Sequence, residues 1–281
     1  MSKKITLQCI AVLVVTFAYL ALGSATLAVE VPERKVLWDI SHGADLDYTL
    51  TGDYLPLVQN LADNGFSVDS TDQGFLVDDP SDYDVIVVAN NGSMDSYYTS
   101  AEVAAITDFV HQGGGLLILG NTPWQGAPNP GNQHIQPVAS VFGVTLGASD
   151  VSPDSLYFSD FAEHPIFDGI SELFMQAAGE LEIVSPASEI AWQNNTDVAL
   201  IATANYGDGR VIALGDADIF LNISAFIIYD RVDNRPFSIN TFEYLAGPVA
   251  VPEPSSIVLL VMLGMSLALG VRAKRRRATK A

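Results

Sequence analysis

Cysteine is almost absent. The single example, Cys9, lies in an apolar run close to the N-terminus. If that run is removed on export, the mature chain has no disulfide, no thiolate metal site and no cysteine nucleophile. Histidine is nearly as scarce, and the four residues are too scattered for a His-x-x-x-His zinc pair. Positive charge is the third shortage. From Val29 to Val251 only Arg34, Lys35, Arg210, Arg231 and Arg235 stand against 32 acidic residues, and no lysine occurs between Lys35 and Lys274. A surface of that sign repels nucleic acid and anionic headgroups, so neither is expected as a partner. The acids are spread rather than blocked, as on a solvated extracellular protein. No internal repeat is visible.

What is present begins at the two ends. Lys3 and Lys4 precede an apolar stretch from Ile10 to Leu22, and small residues follow at Gly23, Ser24, Ala25 and Ala28. That order predicts a signal peptide over 1–28, cut after Ala25 or Ala28, and Sec-type export. At the other end, Pro252-Glu253-Pro254 leads into the apolar run Ile257 to Val271, then Arg272, Lys274, Arg275, Arg276 and Arg277. As a helix the run would span about 22 Å, short of a bilayer core of about 30 Å, with snorkelling arginines extending it. The basic cluster should stay cytoplasmic, which puts the preceding domain outside. The expected localisation is therefore export across the inner membrane, a single-pass anchored precursor, then the cell surface or beyond.

Between the ends, β-branched runs alternate with helical patterns, which predicts an α/β domain with a mostly parallel sheet and flanking helices. Strands are expected at Val36 to Ile40, from Phe66, at Val85 to Ala89 and at Leu116 to Leu119. Helices are expected over Tyr54 to Asn64 and Ala101 to His111, the second capped by Thr99 with Glu102. The Pro-, Gly- and Asn-rich segment from Asn121 to Gln136 reads as a long loop, followed by a short helix near Val138 to Phe142. Further strands fall near Leu181 to Val184 and Glu189 to Trp192. A hairpin is expected from Val198 to Leu214 around Gly207-Asp208-Gly209, and a closing helix over Phe237 to Leu245.

Two resemblances follow from these residues. Pro252-Glu253-Pro254, the short apolar helix and the arginine cluster resemble the PEP-CTERM sorting signal, over 248–281. That resemblance implies an exosortase as partner and a role linked to exopolysaccharide and biofilm. The domain, 29–247, resembles the class I glutamine amidotransferase-like superfamily, a flavodoxin-like fold. The residues that carry this are His42-Gly43 after Asp39, Gly113-Gly114-Gly115 before a strand, His164-Pro165-Ile166 with Gly169, and Gly209 to Asp216. In that family a cysteine follows a central strand and a histidine follows a later one. Here the first turn reads Gly120-Asn121-Thr122-Pro123 and the second Gly215-Asp216-Ala217-Asp218, so glutamine hydrolysis is not expected.

A crevice remains at the strand ends. His42, Asp45, Asn90, Asn91, Asn121, Thr122, Asp216 and Asp218 are expected there, as a site for a sugar, a cation or a short peptide. Capping and turn closure, routine for Asn and Asp, weigh more heavily. Hard oxygen ligands leave calcium open; no other cofactor, no metal cluster and no catalytic residue is expected. Asp39 reads as a buried strand-end carboxylate, Trp124 as a loop aromatic able to stack on a sugar, His134 as solvated and His164 as ordering a turn. The function expected is a non-enzymatic binding or structural role at the cell surface or in an extracellular matrix, with polysaccharide as a partner. An extracellular hydrolase or carbohydrate-active enzyme built around His42 is the alternative, and a calcium-dependent adhesion module the third reading.

Overall fold

The computed structural model describes residues 33–42, 49–90, 97–123, 127, 129–223 and 226–248. Within it, Glu33–Pro248 form one compact unit. The signal segment, the Pro252-Glu253-Pro254 motif, the apolar run 257–271 and the basic cluster lie outside the described residues, as do Asp45, Asn91 and Trp124. Among the described residues, no helix is long and apolar enough to cross a membrane.

The most apolar segments become the centre of the sheet. Val85–Ala89 (β3) and Gly115–Leu119 (β4) are buried along their whole length, as strands covered on both faces must be. Arg34–Asp39 (β1) pairs with β3 and, on its other side, with Phe66–Thr71 (β2), all in parallel. Two helices follow strands in this half: Leu55–Asp63 (α1) after β1, and Ser100–His111 (α2) after β3. The expected helix start at Thr99 holds: its hydroxyl accepts from the Glu102 amide, and the Glu102 carboxylate accepts from the Thr99 amide.

The segment expected to be a loop up to Gln136 turns helical at Pro130. Pro130–Val141 (α3) begins with Asn129, whose side chain accepts from the Gly131 amide at 2.9 Å, and proline at its first position. Asn-Pro-Gly resembles a turn, yet Asn as cap and Pro in the first turn are equally a helix start. Short excursions follow that the sequence pattern does not announce, Val144–Thr145 (β5), Ser155–Phe158 (β6), Asp160–Phe161 (β7) and Leu173–Gln176 (β8), and then Glu182–Ile183 (β9), where a strand is expected.

The chain then returns to the main sheet through Ser188–Trp192 (β10), Ala199–Tyr206 (β11) and Gly209–Leu214 (β12). The eight-stranded order is β2-β1-β3-β4-β12-β11-β10-β7. Strand β12 joins β4 in parallel, but β11, β10 and β7 are antiparallel additions. The parallel character therefore covers five strands and stops at the hairpin. Gly207, at φ +59°, provides the positive φ its two-residue loop needs. A two-stranded ribbon, Asn222–Ile223 (β13) and Phe226–Ile227 (β14), precedes the last helix, Asn234–Ala246 (α4).

Alternation along the strands divides the core into two layers. Val36, Trp38, Val85, Val87, Leu117 and Ile212 point toward α1 and α4, with Leu57, Leu61, Phe237 and Phe242. Leu37, Ile86, Val88, Leu116, Ile118 and Val211 point toward α2 and α3, with Ile106, Val110, Ile135 and Val138. The result is a helix–sheet–helix sandwich. Helix α4 lies so close to the sheet that a Cβ on Gly115 would sit 2.6 Å from the Leu245 carbonyl oxygen.

Candidate functional site

The strand order reverses between β1 and β3: after β1 the chain moves outward to β2, then crosses back. In open α/β sheets such a reversal opens a crevice at the carboxyl ends of the strands. Asp39 ends β1, Ser41 and His42 follow it, and the start of α2 brings in Tyr98 and Glu102. These five side chains form one hydrogen-bonded cluster.

Asp39 is 3% exposed. Its Oδ1 accepts from the Ser41 amide at 2.9 Å and the Ser41 hydroxyl at 2.6 Å. Its Oδ2 lies 2.6 Å from His42 Nδ1 and accepts a hydrogen bond from the Tyr98 hydroxyl. Nε2 of His42 faces Glu102 Oε1 at 3.2 Å, while Oε2 of the same glutamate accepts from the Thr99 amide and hydroxyl. The His42 and Tyr98 rings stack at 3.8 Å.

Burial would push the Asp39 carboxyl up, but the bonds from His42, Ser41 and Tyr98 hold it below its ordinary value. Burial would likewise lower His42, yet the Asp39 hydrogen bond and the charges of Asp39 and Glu102 raise it. Both ring nitrogens thus meet carboxylates, the setting of an imidazolium. Burial and the Asp39 charge hold the Tyr98 phenol well above its usual range.

This geometry limits the chemistry. A serine triad needs its hydroxyl and its orienting carboxylate on opposite imidazole nitrogens. Here Ser41 Oγ, 2.9 Å from Nδ1, and Asp39 share one nitrogen, and Glu102 occupies the other. Both nitrogens of His42 are thus taken up by carboxylates, and neither is oriented toward a separate nucleophile as the triad requires.

The remaining expected site residues serve the scaffold. Asn90 is buried and donates to Asn132 Oδ1 at 2.7 Å and Asn129 Oδ1 at 3.0 Å. The Asn121 amide donates to Asn132 Oδ1 at 2.9 Å, and the Asn121 carbonyl accepts from Asn132 Nδ2 at 2.7 Å. Asn121 Oδ1 accepts from the Thr122 amide, and the Thr122 hydroxyl donates to Asp150 at 2.6 Å. The turn after β4, where the amidotransferase-like resemblance would place a nucleophile, is therefore an amide lattice fastening the start of α3. Asp216 is fully buried after β12 and accepts from the amides of Gln176 and Asp218 at 2.7 and 2.8 Å. Asp218 follows in a 3-10 turn and is 9% exposed. His42, Asn121, Thr122, Asp216 and Asp218 all sit at strand ends, but only His42 joins the cluster beside β1.

His134, read as solvated, is buried in α3 with its ring 4.6 Å from that of Tyr97. His164 accepts from the Ile166 amide at 3.4 Å and orders a 3-10 turn, and burial lowers its pKa. Neither Tyr98 nor Ser41 carries a motif of its own in the sequence. The Asp39-x-Ser41-His42 spacing was the only local signal; Tyr98 is 59 residues from its partner Asp39. One open groove, of about 470 Å³ and lined by Asp79, Tyr83, Asp84, Asp108 and Gln112, lies at the opposite end of β3 and β4, away from this cluster.

Fold and cluster together define an open α/β domain of the doubly wound kind, with a polar cluster built on carboxylates at the point where the strand order reverses. The chain belongs to the Domain of unknown function (DUF4350) family, whose model matches residues 54–241. Among curated proteins, none matches the sequence. Among solved structures it is similar to the mmIFT52 N-terminal domain, with 14% identity and TM-score 0.62 over 76% of this chain and 98% of that one. It is also similar to the cytoplasmic protein STM1381 from Salmonella typhimurium LT2, with 18% identity and TM-score 0.55 over 75% and 99%. A ThuA-like protein from Parabacteroides merdae ATCC 43184 gives 14% identity and TM-score 0.53 over 80% and 94%. At such identities the likeness is one of fold.

These findings overturn the reading of the chain as a PEP-CTERM protein with a class I glutamine amidotransferase-like domain. The motifs that carried the domain resemblance are glycine turns and polar strand ends. Any open parallel sheet needs them, so they do not tell one such family from another.

Proposed function

We propose that the Glu33–Pro248 unit is a non-catalytic binding or structural module of an exported protein, with a flavodoxin-like order in its parallel half. The strand sequence β2-β1-β3-β4-β12 supports that order. The observation that carries the non-catalytic reading is the clamping of His42 between Asp39 and Glu102. With both nitrogens engaged, the imidazole stiffens the crevice floor and stacks Tyr98 in place. Export is supported by Lys3, Lys4 and the apolar run to Leu22, and outward placement by the basic residues after Val271.

An extracellular polysaccharide is the ligand we propose for the crevice rim. Tyr97 is 56% exposed beside His134, with its hydroxyl 3.5 Å from Gln133 Oε1, an aromatic face next to a planar amide. Screening the purified protein against oligosaccharides and against ester, amide and glycoside substrates tests both statements. Binding without turnover is expected, and Tyr97→Ala should weaken it roughly three- to tenfold, the loss of an aromatic contact of about 0.5–1.5 kcal/mol. Turnover that disappears in His42→Ala would sink the non-catalytic reading.

A further inference from the structure

A second group of oxygen atoms follows the end of β12, on residues that do not belong to the His42 cluster. Asp218, in the turn after β12, has a buried Oδ1 with no hydrogen-bond partner. Asn222, the first residue of β13, also has a buried and unpartnered Oδ1. Its Nδ2 donates to Asp230 at 2.7 Å, which fixes which end of the amide is the oxygen. The Asn222 amide nitrogen donates to the Asp53 carbonyl at 3.1 Å, so the residue before Tyr54 and α1 is held against this turn.

Two unpartnered buried oxygens beside a second acid are costly, because each has given up water without gaining a donor. Burial and then the charge of Asp53 push the Asp218 carboxyl up to about 7. The nearby guanidinium groups are used elsewhere: Arg235 pairs with Asp230, and Arg231 lies 4.2 Å over the Phe174 ring. Among the described residues, no three His, Cys, Asp or Glu side chains are placed to hold a metal. The set here differs in having two carboxylates and one amide oxygen.

We propose that Asp53, Asp218 and Asn222 hold a hard divalent cation, calcium foremost, at the junction of α1 and the β12–β13 turn. Oxygen donors alone select calcium or magnesium over zinc or copper, and calcium accepts irregular oxygen sets completed by water. The cation would supply the partner that Asp218 and Asn222 lack and would replace repulsion between the two acids by attraction to a shared ion. The proposal is independent of the polysaccharide reading, since it concerns other residues and reads out as stability.

Thermal unfolding of the purified full-length chain at pH 8 tests it, in chelator, in millimolar calcium chloride and in sodium chloride of matched ionic strength. Calcium should raise Tm by ~2–4 °C or more above both controls, since a ligand of the native state alone stabilises it. Asp218→Asn should melt higher than wild type in chelator and gain nothing further from calcium. Asn222→Ala should bind calcium at least tenfold more weakly by calorimetry. A wild-type rise no larger than that in sodium chloride, or the same calcium rise in Asp218→Asn and Asp53→Asn, would overturn the site.

Discussion

Glu102 does two tasks with one carboxylate. Oε2 closes the capping box of α2 and Oε1 faces His42. Glu102→Gln keeps an acceptor for the cap but removes one charge from the imidazolium. The His42 pKa, followed by NMR of the ring protons, should fall toward its ordinary value, with Asp39 alone still holding it above. The sign for stability follows from the raised value. Folded His42 holds its proton to higher pH than the unfolded chain does, so its contribution is complete below about pH 6.5 and is lost as pH rises through the folded value. Asp218 acts in the same direction for a different reason. Its carboxyl is raised to about 7, so the folded state binds the extra proton between the ordinary carboxylate range and neutrality, and stability falls across that interval as pH rises. Asp218→Asn should remove much of that slope. In metal-free buffer the gain at pH 8 should be ~2–4 kcal/mol by denaturant titration. Asp39 is opposite in sign: held low, it stabilises above its unfolded pKa, and that stability is lost in acid as the folded value is crossed.

At the scale of elements, two contacts deserve a quantitative test. Asn234 opens α4 with its side chain fully buried. Oδ1 accepts from the Phe174 amide at 3.0 Å, and Nδ2 donates to the carbonyls of Phe174 at 2.9 Å and Ile228 at 3.1 Å. One amide thus ties α4 to β8 and to the chain after β14. Asn234→Ala leaves those backbone groups without partners in the interior and should cost about 2–4 kcal/mol, read by urea unfolding. Gly115→Ala should cost about 1–3 kcal/mol by forcing the end of α4 off the sheet, because its Cβ would meet backbone rather than a yielding side chain. The same scale shows why only the end of α3, near Val138 to Phe142, is legible in the sequence as helix while its start reads as loop. Its first residues carry turn-like chemistry, and Pro137 interrupts its pattern. Its start is fastened from elsewhere, by Asn90 after β3 and by Asn121 and Thr122 after β4. The uniformly apolar β3 and β4 needed no such help, since central burial writes itself into a continuous run of Val, Ile and Leu.

For the whole molecule, charge is the dominant property. A formal net charge of −20 at pH 7 puts the folded chain under self-repulsion. Tm should therefore rise with sodium chloride at neutral pH, as screening shortens the range of that repulsion. Calcium should add to the rise only through the site proposed above. The similar solved structures share this fold, and a shared fold does not by itself fix a function.

The sequence by itself determined what depends on neighbours along the chain. Strand and helix content in the first half, the Thr99 cap, the hairpin at Gly207 and the acidic surface all follow from local pattern. It also placed His42, Asp216 and Asp218 near strand ends, because they follow directly on β1 and β12. Tertiary structure alone decided which of these residues meet. The reversal of strand order between β1 and β3 brings Tyr98 and Glu102 onto the Asp39–His42 pair. The closure of β13 against the start of α1 sets Asn222 beside Asp53. Both depend on long-range crossings that bring distant residues together, and neighbours along the chain carry no record of them.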